Sequence, residues 1–600
     1  MPQGQSLAAV LADRFAAAPG DTALVFAPDA RPQAAEQRLS YAELDRRARG
    51  LAHWLVERGA QGQPVLIPLD SGVEFAVAVV GCLFAGAVAV PVPPPGTSRA
   101  ATERTAAIVK ECARTVVLTD RAHAAELSRL LADADRGSLL CRAVETLPGA
   151  APDDWSPPEL DPQDPALIQY TSGTTAAPRG VLVSHANLLA TMTAIQQALG
   201  THRGSRIGGW LPGYHDLGLI GQLLHPLWLG ATAVLLPVHS FLVEPARWLH
   251  AIDRYGITVA AAPDSAYARC ATEVTPDQLT GLDLSRWEVA VNAAEPVAAV
   301  TLERFAERFA PAGLRPRALV TGYGLAEASL LVAVSAPGAA PVFAADPSAL
   351  GRGRLRPAAP GGPARRLVGS GRPHGVELRI VDPGSRAELA DGETGEIWVR
   401  GPAVTAGYHQ RPLETAESFR ACTAGGARGF LRTGDLGVLQ DGELYVTGRL
   451  KDLLKVAGRG LHPQEVERQL AACGTQFGSA AVFAPGPDER VVAVQEVRFG
   501  GRGGTDLPGI AQRVRGCLAE EFGGAVGGVL LVRPGTVRRT TSGKVQRSMM
   551  RELFLRGELR PLHAELDPDL TPGRTAGSPR WQSQTPAPRP GQAPDVAFHT

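Results

Sequence analysis

The stretch Tyr170-Thr-Ser-Gly-Thr-Thr-Ala-Ala-Pro-Arg-Gly180 follows the apolar run Ala166 to Ile168 and precedes a helical pattern that starts near Ser184-His185-Ala186-Asn187. Hydroxyls at Thr171, Ser172, Thr174 and Thr175, with the free backbone amides of a tight turn, can donate many hydrogen bonds to phosphate oxygens. The same composition suits a polar surface turn. No Gly-Lys-Ser/Thr occurs in the chain, so the stretch is not a Walker loop.

On either side, helical and strand-like stretches alternate. Tyr41 to Arg58 places apolar residues at helical spacing, Pro64 to Leu69 reads as a strand, and Glu74 to Phe84 as a helix. The pattern recurs at Ala166 to Tyr170, Ala231 to Leu236 and Ile257 to Ala262, which predicts a mostly parallel sheet covered by helices, in two α/β lobes. Beyond about Gly369 the texture becomes period-2. VELRIVDPGSRAELADGETGEIWVRG and LQDGELYVTG predict hairpins around Asp391-Gly392 and Asp441-Gly442, hence a β-rich subdomain. After Arg449 a region with helices at Pro463 to Ala472 and Ile510 to Phe522 reads as a small α+β domain. From Thr571 the Pro/Gly/Ser-rich sequence buries too little apolar surface to offset its chain entropy and reads as a disordered tail.

At 600 residues with 44% hydrophobic and 20% charged content, the chain has room for several packed cores. Its 60 basic and 60 acidic residues cancel, so the totals imply neither a nucleic-acid partner nor a charged membrane surface. The 7 cysteines are scattered without a short-spaced pair, which argues against a zinc site or a disulfide framework and fits a reducing cytoplasm. The N-terminus has no signal-peptide pattern. Phe75 to Pro95, the longest apolar stretch, is interrupted by Gly81, Gly86 and prolines and reads as a buried helix entering a core strand, not a transmembrane segment. Only Lys110, Lys451, Lys455 and Lys544 are lysines among the 60 basic residues, so each retained lysine invites an individual explanation.

After the loop come, in order, Trp210-Leu-Pro-Gly-Tyr-His-Asp-Leu-Gly218, Asn292-Ala-Ala-Glu-Pro296, Tyr323-Gly-Leu-Ala-Glu327, Arg432-Thr-Gly-Asp435, Gly448-Arg-Leu-Lys-Asp452 and Thr541-Ser-Gly-Lys544. This series, over about residues 5 to 560, resembles the adenylate-forming superfamily of acyl-CoA synthetases, luciferases and adenylation domains. LPGYHDLGLIGQLLHPLWLG, Asn-Ala-Ala-Glu-Pro and GCLFAGAVAVPVPPP look most like its fatty acyl-AMP ligases. The resemblance implies a large N-terminal adenylation domain at 1–447, a small mobile lid domain at 448–565 and a tail at 566–600. It also implies a fatty acid substrate, ATP and Mg²⁺ as cofactors, and an acyl carrier protein or synthase carrier domain acting in trans. An acyl-CoA ligase, or a non-catalytic acyl or nucleotide sensor, is the competing reading.

By resemblance, Thr171, Ser172, Gly173, Thr174 and Thr175 hold phosphates, and Tyr323 and Gly324 with Ala293, Ala294 and Glu295 form the adenine slot. Asp435 and Arg449 bind the ribose, Glu327 holds Mg²⁺, and Lys451 is the hinge. Joining a carboxylate to the α-phosphate brings two anions together, and Lys544 is the cation expected to bridge them. His215 is expected where the carboxylate enters, with Leu217 to Leu229 lining an acyl tunnel. Two positions depart from the family pattern: Ala176 stands where glycine is usual and Arg179 where lysine is usual. The Pro/Gly/Arg-rich stretch Ser335 to Arg366 matches an insertion held, in the resembled branch, to hinder the domain movement that CoA transfer requires.

Overall fold

The computed structural model describes residues 4–570 apart from 29–35, 97–98, 113–115, 135–138, 148, 153–154, 172–177, 339, 457–458, 473, 475, 487–489, 499–505 and 540–544. The chain divides into two compact units, and the boundary falls between Lys451 and Asp452 rather than at 447/448.

In the larger unit, six parallel strands form the centre of the first sheet. Across it they run Thr22–Phe26, Thr232–Leu235, Arg206–Gly209, Val259–Ala262, Val289–Asn292 and Leu319–Gly324, with antiparallel strands at both edges. A second sheet is parallel from Cys141–Ala143 through Val116–Thr119, Pro64–Ile67 and Val88–Pro91 to Pro165–Tyr170, and ends on the antiparallel Gly180–Ser184. The two α/β lobes follow from the alternation in the sequence, because buried parallel strands need helices on both faces.

Helix Tyr41–Val56 starts at a capping box. Ser40 Oγ accepts from the Glu43 amide (3.2 Å) and Glu43 Oε2 accepts from the Ser40 amide (2.8 Å). Helix Val73–Ala85, buried at every position but Glu74, runs into strand Val88–Pro91, which accounts for the apolar stretch at 75–95. Among the described residues no helix is long and apolar enough to cross a membrane. One apolar core joins both lobes and extends to Ile397 and Val399 of the third sheet.

That third sheet is antiparallel and carries the two expected hairpins with different outcomes. Gln440 pairs with Glu443, so Asp441-Gly442 is a two-residue turn with φ of 55° and 79°, the conformation that favours this dipeptide. Asp391-Gly392 is no such turn. Strands Glu377–Val381 and Gly395–Arg400 do pair, but the connection is long, and the Gly392 amide bonds instead to Leu439 O (2.8 Å). The stretch 335–366 is structured: strand Val342–Ala345 pairs with Arg365–Val368, and Leu350, Leu355 and Leu367 pack on Val438 and Tyr445 of the third sheet.

In the smaller unit, strands Phe477–Phe483, Val491–Val497, Val526–Val532 and His563–Leu566 form a mixed sheet with separate apolar clusters on its two faces. Helices Pro463–Ala472 and Leu507–Phe522 agree with the expected α+β texture. Strand His563–Leu566 and a turn at Pro568–Leu570 carry the ordered chain past 565, where the sequence reading begins the tail. Residues 571–600 lie outside the described residues.

Candidate active site

The quoted loop connects two antiparallel strands in which Tyr170 faces Gly180, so a strand, Gly180–Ser184, intervenes before helix His185–Leu199. The Thr171 amide donates to Arg179 O (2.9 Å), closing the base of the loop. Arg179 is held with Nε 2.7 Å from Glu414 Oε2 and its guanidinium 5.5 Å from the Tyr408 ring centre. Ser172, Gly173, Thr174, Thr175 and Ala176 lie outside the described residues.

At the end of strand Leu319–Gly324, Tyr323 Oη donates to Asp435 Oδ2 (2.8 Å). Asp435 and Arg449 are register partners across the Asp441-Gly442 hairpin, and Arg449 Nε donates to Asp435 Oδ1 (2.8 Å). Burial holds the Tyr323 phenol well above its ordinary range, so it stays a donor. A side chain on Gly324 would place its Cβ 1.8 Å from Leu330 O, so only glycine lets the chain pass there. Ala293 and Ala294 follow strand Val289–Asn292, and Ala294 takes a φ of 68°. Glu295 behaves differently: its Oε2 accepts from the Ser265 amide (2.9 Å), and it is absent from the cavity wall that its two neighbours line.

Glu327 sits in the turn Ala326–Ala328, where Tyr408 Oη donates to its Oε1 (2.9 Å). Burial pushes its carboxyl above the usual carboxylate range, and the Tyr408 hydrogen bond opposes this. Among the described residues no group of three or more His, Cys, Asp or Glu could cage a metal. A single carboxylate in a cavity suits Mg²⁺, which keeps waters and takes further oxygens from phosphates. His215 Nδ1 lies 2.7 Å from Asp216 Oδ1. Lys451 lines the cavity as the last residue of the large unit, and Lys544 lies outside the described residues.

Thr171, Arg179, His215, Ala293, Ala294, Tyr323, Gly324, Glu327, Tyr408, Arg449 and Lys451 border one cavity of about 590 Å³ within the large unit, and Asp435 stands behind that wall, held by Tyr323 and Arg449. Thr171, Tyr323, Glu327, Arg432, Arg449 and Lys451 surround one part of it, whereas Ile195, Leu199, Ile207, Leu217 and Val259 give another part an apolar wall. Of the expected tunnel stretch 217–229, only Leu217, Gly221, Gln222 and His225 reach the cavity, and the remainder is packed into the core. The reason is a π-helix over Leu217–Leu224, whose wider turn puts Leu217, Gly221 and Gln222, four and five residues apart, on one side, with His225 at the start of the α-helix that follows.

Sequence reasoning missed three wall residues. Glu396 accepts from Arg432 Nε (3.0 Å), Trp398 Nε1 (2.9 Å) and the Gly434 amide (3.1 Å), and so pins the strand that carries Asp435. Arg104 Nη2 donates to Tyr170 O (2.8 Å), and burial pushes its guanidinium down to about 10. Tyr408 joins Glu327 to Arg179. A buried carboxylate alternating with apolar residues in GEIWVR was a usable signal for Glu396; the other two carry none without the fold.

The family model described as AMP-binding enzyme matches residues 11–409. Over 535 residues the chain is 36% identical to the medium-chain-fatty-acid–[acyl-carrier-protein] ligase JamA of Moorena producens, covering 87% of this chain and 90% of that protein. It is 33% identical to the long-chain-fatty-acid–AMP ligase FadD26 of Mycobacterium marinum, covering 92% and 97%. Among solved structures, fatty acyl-adenylate ligase from L. pneumophila in complex with acyl adenylate and pyrophosphate superposes with a TM-score of 0.73 at 31% identity, over 94% of this chain and 98% of that one. With its cavity, its Tyr323–Asp435–Arg449 cluster and these relatives taken together, the chain belongs to the AMP-binding enzymes, in their fatty acyl-AMP ligase branch.

Proposed function

We propose that this enzyme activates a fatty acid with ATP and passes the acyl group to the phosphopantetheine thiol of an acyl carrier protein supplied in trans. The observation that carries this reading is the single cavity with a charged, hydroxyl-rich part and an apolar part, which matches a molecule that is nucleotide at one end and alkyl at the other. A carboxylate oxygen attacks the α-phosphorus, the bond from that phosphorus to the bridging oxygen breaks, and pyrophosphate leaves. The carrier thiolate then attacks the acyl carbon, forming the thioester and releasing AMP.

Asp435 is oriented by Tyr323 and Arg449 to accept from ribose hydroxyls, and Ala293, Ala294 and Gly324 give the adenine a wall without side-chain obstruction. Thr171 and the loop after it donate to phosphates, with Arg179 keeping a cation at the loop's end. Glu327 would hold Mg²⁺, which when bound would neutralise charge on the triphosphate. His215 orients the incoming carboxylate, Lys544 stabilises the charge that develops between it and the α-phosphate, and Lys451 absorbs the backbone rotation between half-reactions.

Pyrophosphate exchange driven by fatty acids, followed by mass spectrometry of the product with holo-carrier or CoA offered together, tests the reading. Exchange with acyl-carrier formation is expected. Dominant acyl-CoA formation overturns the acceptor assignment, and absence of exchange makes the chain a binding protein.

A further inference from the structure

The apolar part of the cavity also carries polar groups that the reaction does not use. Thr201, Gln222 and His225 all line the cavity, and each is at least nine-tenths buried. Thr201 Oγ1 and His225 Nε2 lie 2.8 Å apart, and Gln222 Nε2 donates to Ala261 O (3.3 Å). Two atoms have no partner among the described residues: Gln222 Oε1 and His225 Nδ1.

Their depth follows from strand register. The parallel strands turn their C-terminal ends, including Ala293, toward the nucleotide groups, whereas Val259 pairs with Ile207 at the opposite end. Val259 is in register with Val289, four residue steps before Ala293, so the cavity wall runs about 13 Å along the strands. With C–C bonds of about 1.5 Å an extended chain advances about 1.25 Å per carbon, so this span bounds the chain at about ten carbons.

An alkyl terminus placed against Gln222 and His225 would leave a buried carbonyl oxygen and ring nitrogen without hydrogen bonds, and such groups are costly. The chemistry of the missing partner is constrained. Gln222 Oε1 needs a donor, which excludes a ketone. Burial pushes His225 down to about 3, so it is neutral, and none of the three groups offers a counter-charge to a charged amine or carboxylate. A hydroxyl both donates and accepts, and therefore satisfies Gln222 whichever nitrogen of His225 carries the proton.

Resting on the fatty-acid reading above, we propose that the preferred substrate is a medium-length carboxylic acid with a hydroxyl at the far end of its chain, recognised by Gln222, His225 and Thr201. The test measures kcat/KM for pyrophosphate exchange with octanoic against 8-hydroxyoctanoic acid and decanoic against 10-hydroxydecanoic acid. The wild-type enzyme is expected to favour the hydroxy acid of at least one pair about tenfold or more. Gln222→Leu and His225→Leu should each collapse that ratio toward one, with thermal melting reporting that the variants are folded. Plain acids used as well as or better than hydroxy acids by the wild-type enzyme would overturn the proposal alone. No exchange with any acid would overturn the carboxylate-activation reading and this one with it.

Discussion

Tyr323 and Asp435 are 112 residues apart in the chain, yet the phenol donates a 2.8 Å hydrogen bond to the carboxylate. The contact ties the end of a parallel strand to a hairpin of the antiparallel sheet, and Arg449 occupies the other carboxylate oxygen from across that hairpin. Asp435→Ala removes the acceptor that the Arg449 guanidinium and the Tyr323 phenol share. The KM for ATP is expected to rise about tenfold to a hundredfold, and Tyr323→Phe to raise it by less than about tenfold. Steady-state kinetics at saturating fatty acid reads both, and an unchanged KM in Asp435→Ala would remove Asp435 from the nucleotide site.

Lys544→Ala should lower the rate of acyl-adenylate formation by about a hundredfold to a thousandfold, because it deletes the cation aimed at the developing charge. Lys544→Arg should not restore it, since a planar fork cannot replace a compact ammonium at that point. Single-turnover formation of acyl-AMP is the measurement. A near-normal rate in Lys544→Ala would move the catalytic burden elsewhere, Arg104 and Arg179 being candidates on the cavity wall.

Glu327 couples stability to pH. Burial raises its folded-state pKa above the unfolded value, so its contribution is fully present below the ordinary carboxylate range and is lost as pH rises through the raised value. Glu327→Gln should therefore melt higher than the wild-type protein at neutral pH in the absence of nucleotide and metal, and the difference should vanish toward pH 4. Its activity should fall about a hundredfold at fixed Mg²⁺. A variant that melts lower at neutral pH contradicts the burial argument.

In the small unit, Arg547 Nε donates to Glu467 Oε1 (2.8 Å) and Nη1 to Asp452 Oδ2 (2.9 Å), with all three side chains buried. Arg547→Met strands two buried carboxylates and should cost about 3–5 kcal/mol. Urea denaturation followed by a probe in that unit gives the value, and a loss below 1 kcal/mol would show that the carboxylates reach water.

Leu355→Ala tests whether the ordered stretch between 335 and 366 is held by its own small core. Leu355 is buried with Leu350, Leu367, Val438 and Tyr445, and its truncation is expected to cost about 2–4 kcal/mol. If the stretch also bars CoA, loosening it should raise acyl-CoA formation relative to acyl-carrier formation. An unchanged product ratio in a destabilised variant would separate the packing from the acceptor choice.

Local chemistry was legible in the sequence wherever neighbours in the chain decide the structure. The Ser40 and Ser184 caps, the Asp441-Gly442 turn and the alternation that predicts two parallel lobes all depend on residues a few positions apart. The motifs around Tyr323, Asp435 and Arg449 were likewise readable, because each is a short segment whose residue types suit one ligand group. Asp391-Gly392 misled for the same reason in reverse. The dipeptide favours a tight turn locally, but the Leu355 and Leu439 backbones claim Gly392 from either side.

What only the tertiary structure decided was which side chains face one another. From the sequence, Leu217 to Leu229 is apolar apart from Gln222 and His225 and offers no means of choosing a cavity face; the π-helix turns Leu217, Gly221 and Gln222 to the cavity, and His225 opens the α-helix that follows. Nor does any spacing join Thr201 to His225, Tyr408 to Glu327, or Glu396 to Arg432, because those pairs form across elements whose separation is set by packing. The sequence by itself determined the family, the order of elements and the chemical types at the reacting end. The shape of the acyl cavity and the polar trio at its depth arise from long-range packing, since burial, not identity, turns a glutamine and a histidine into recognition groups.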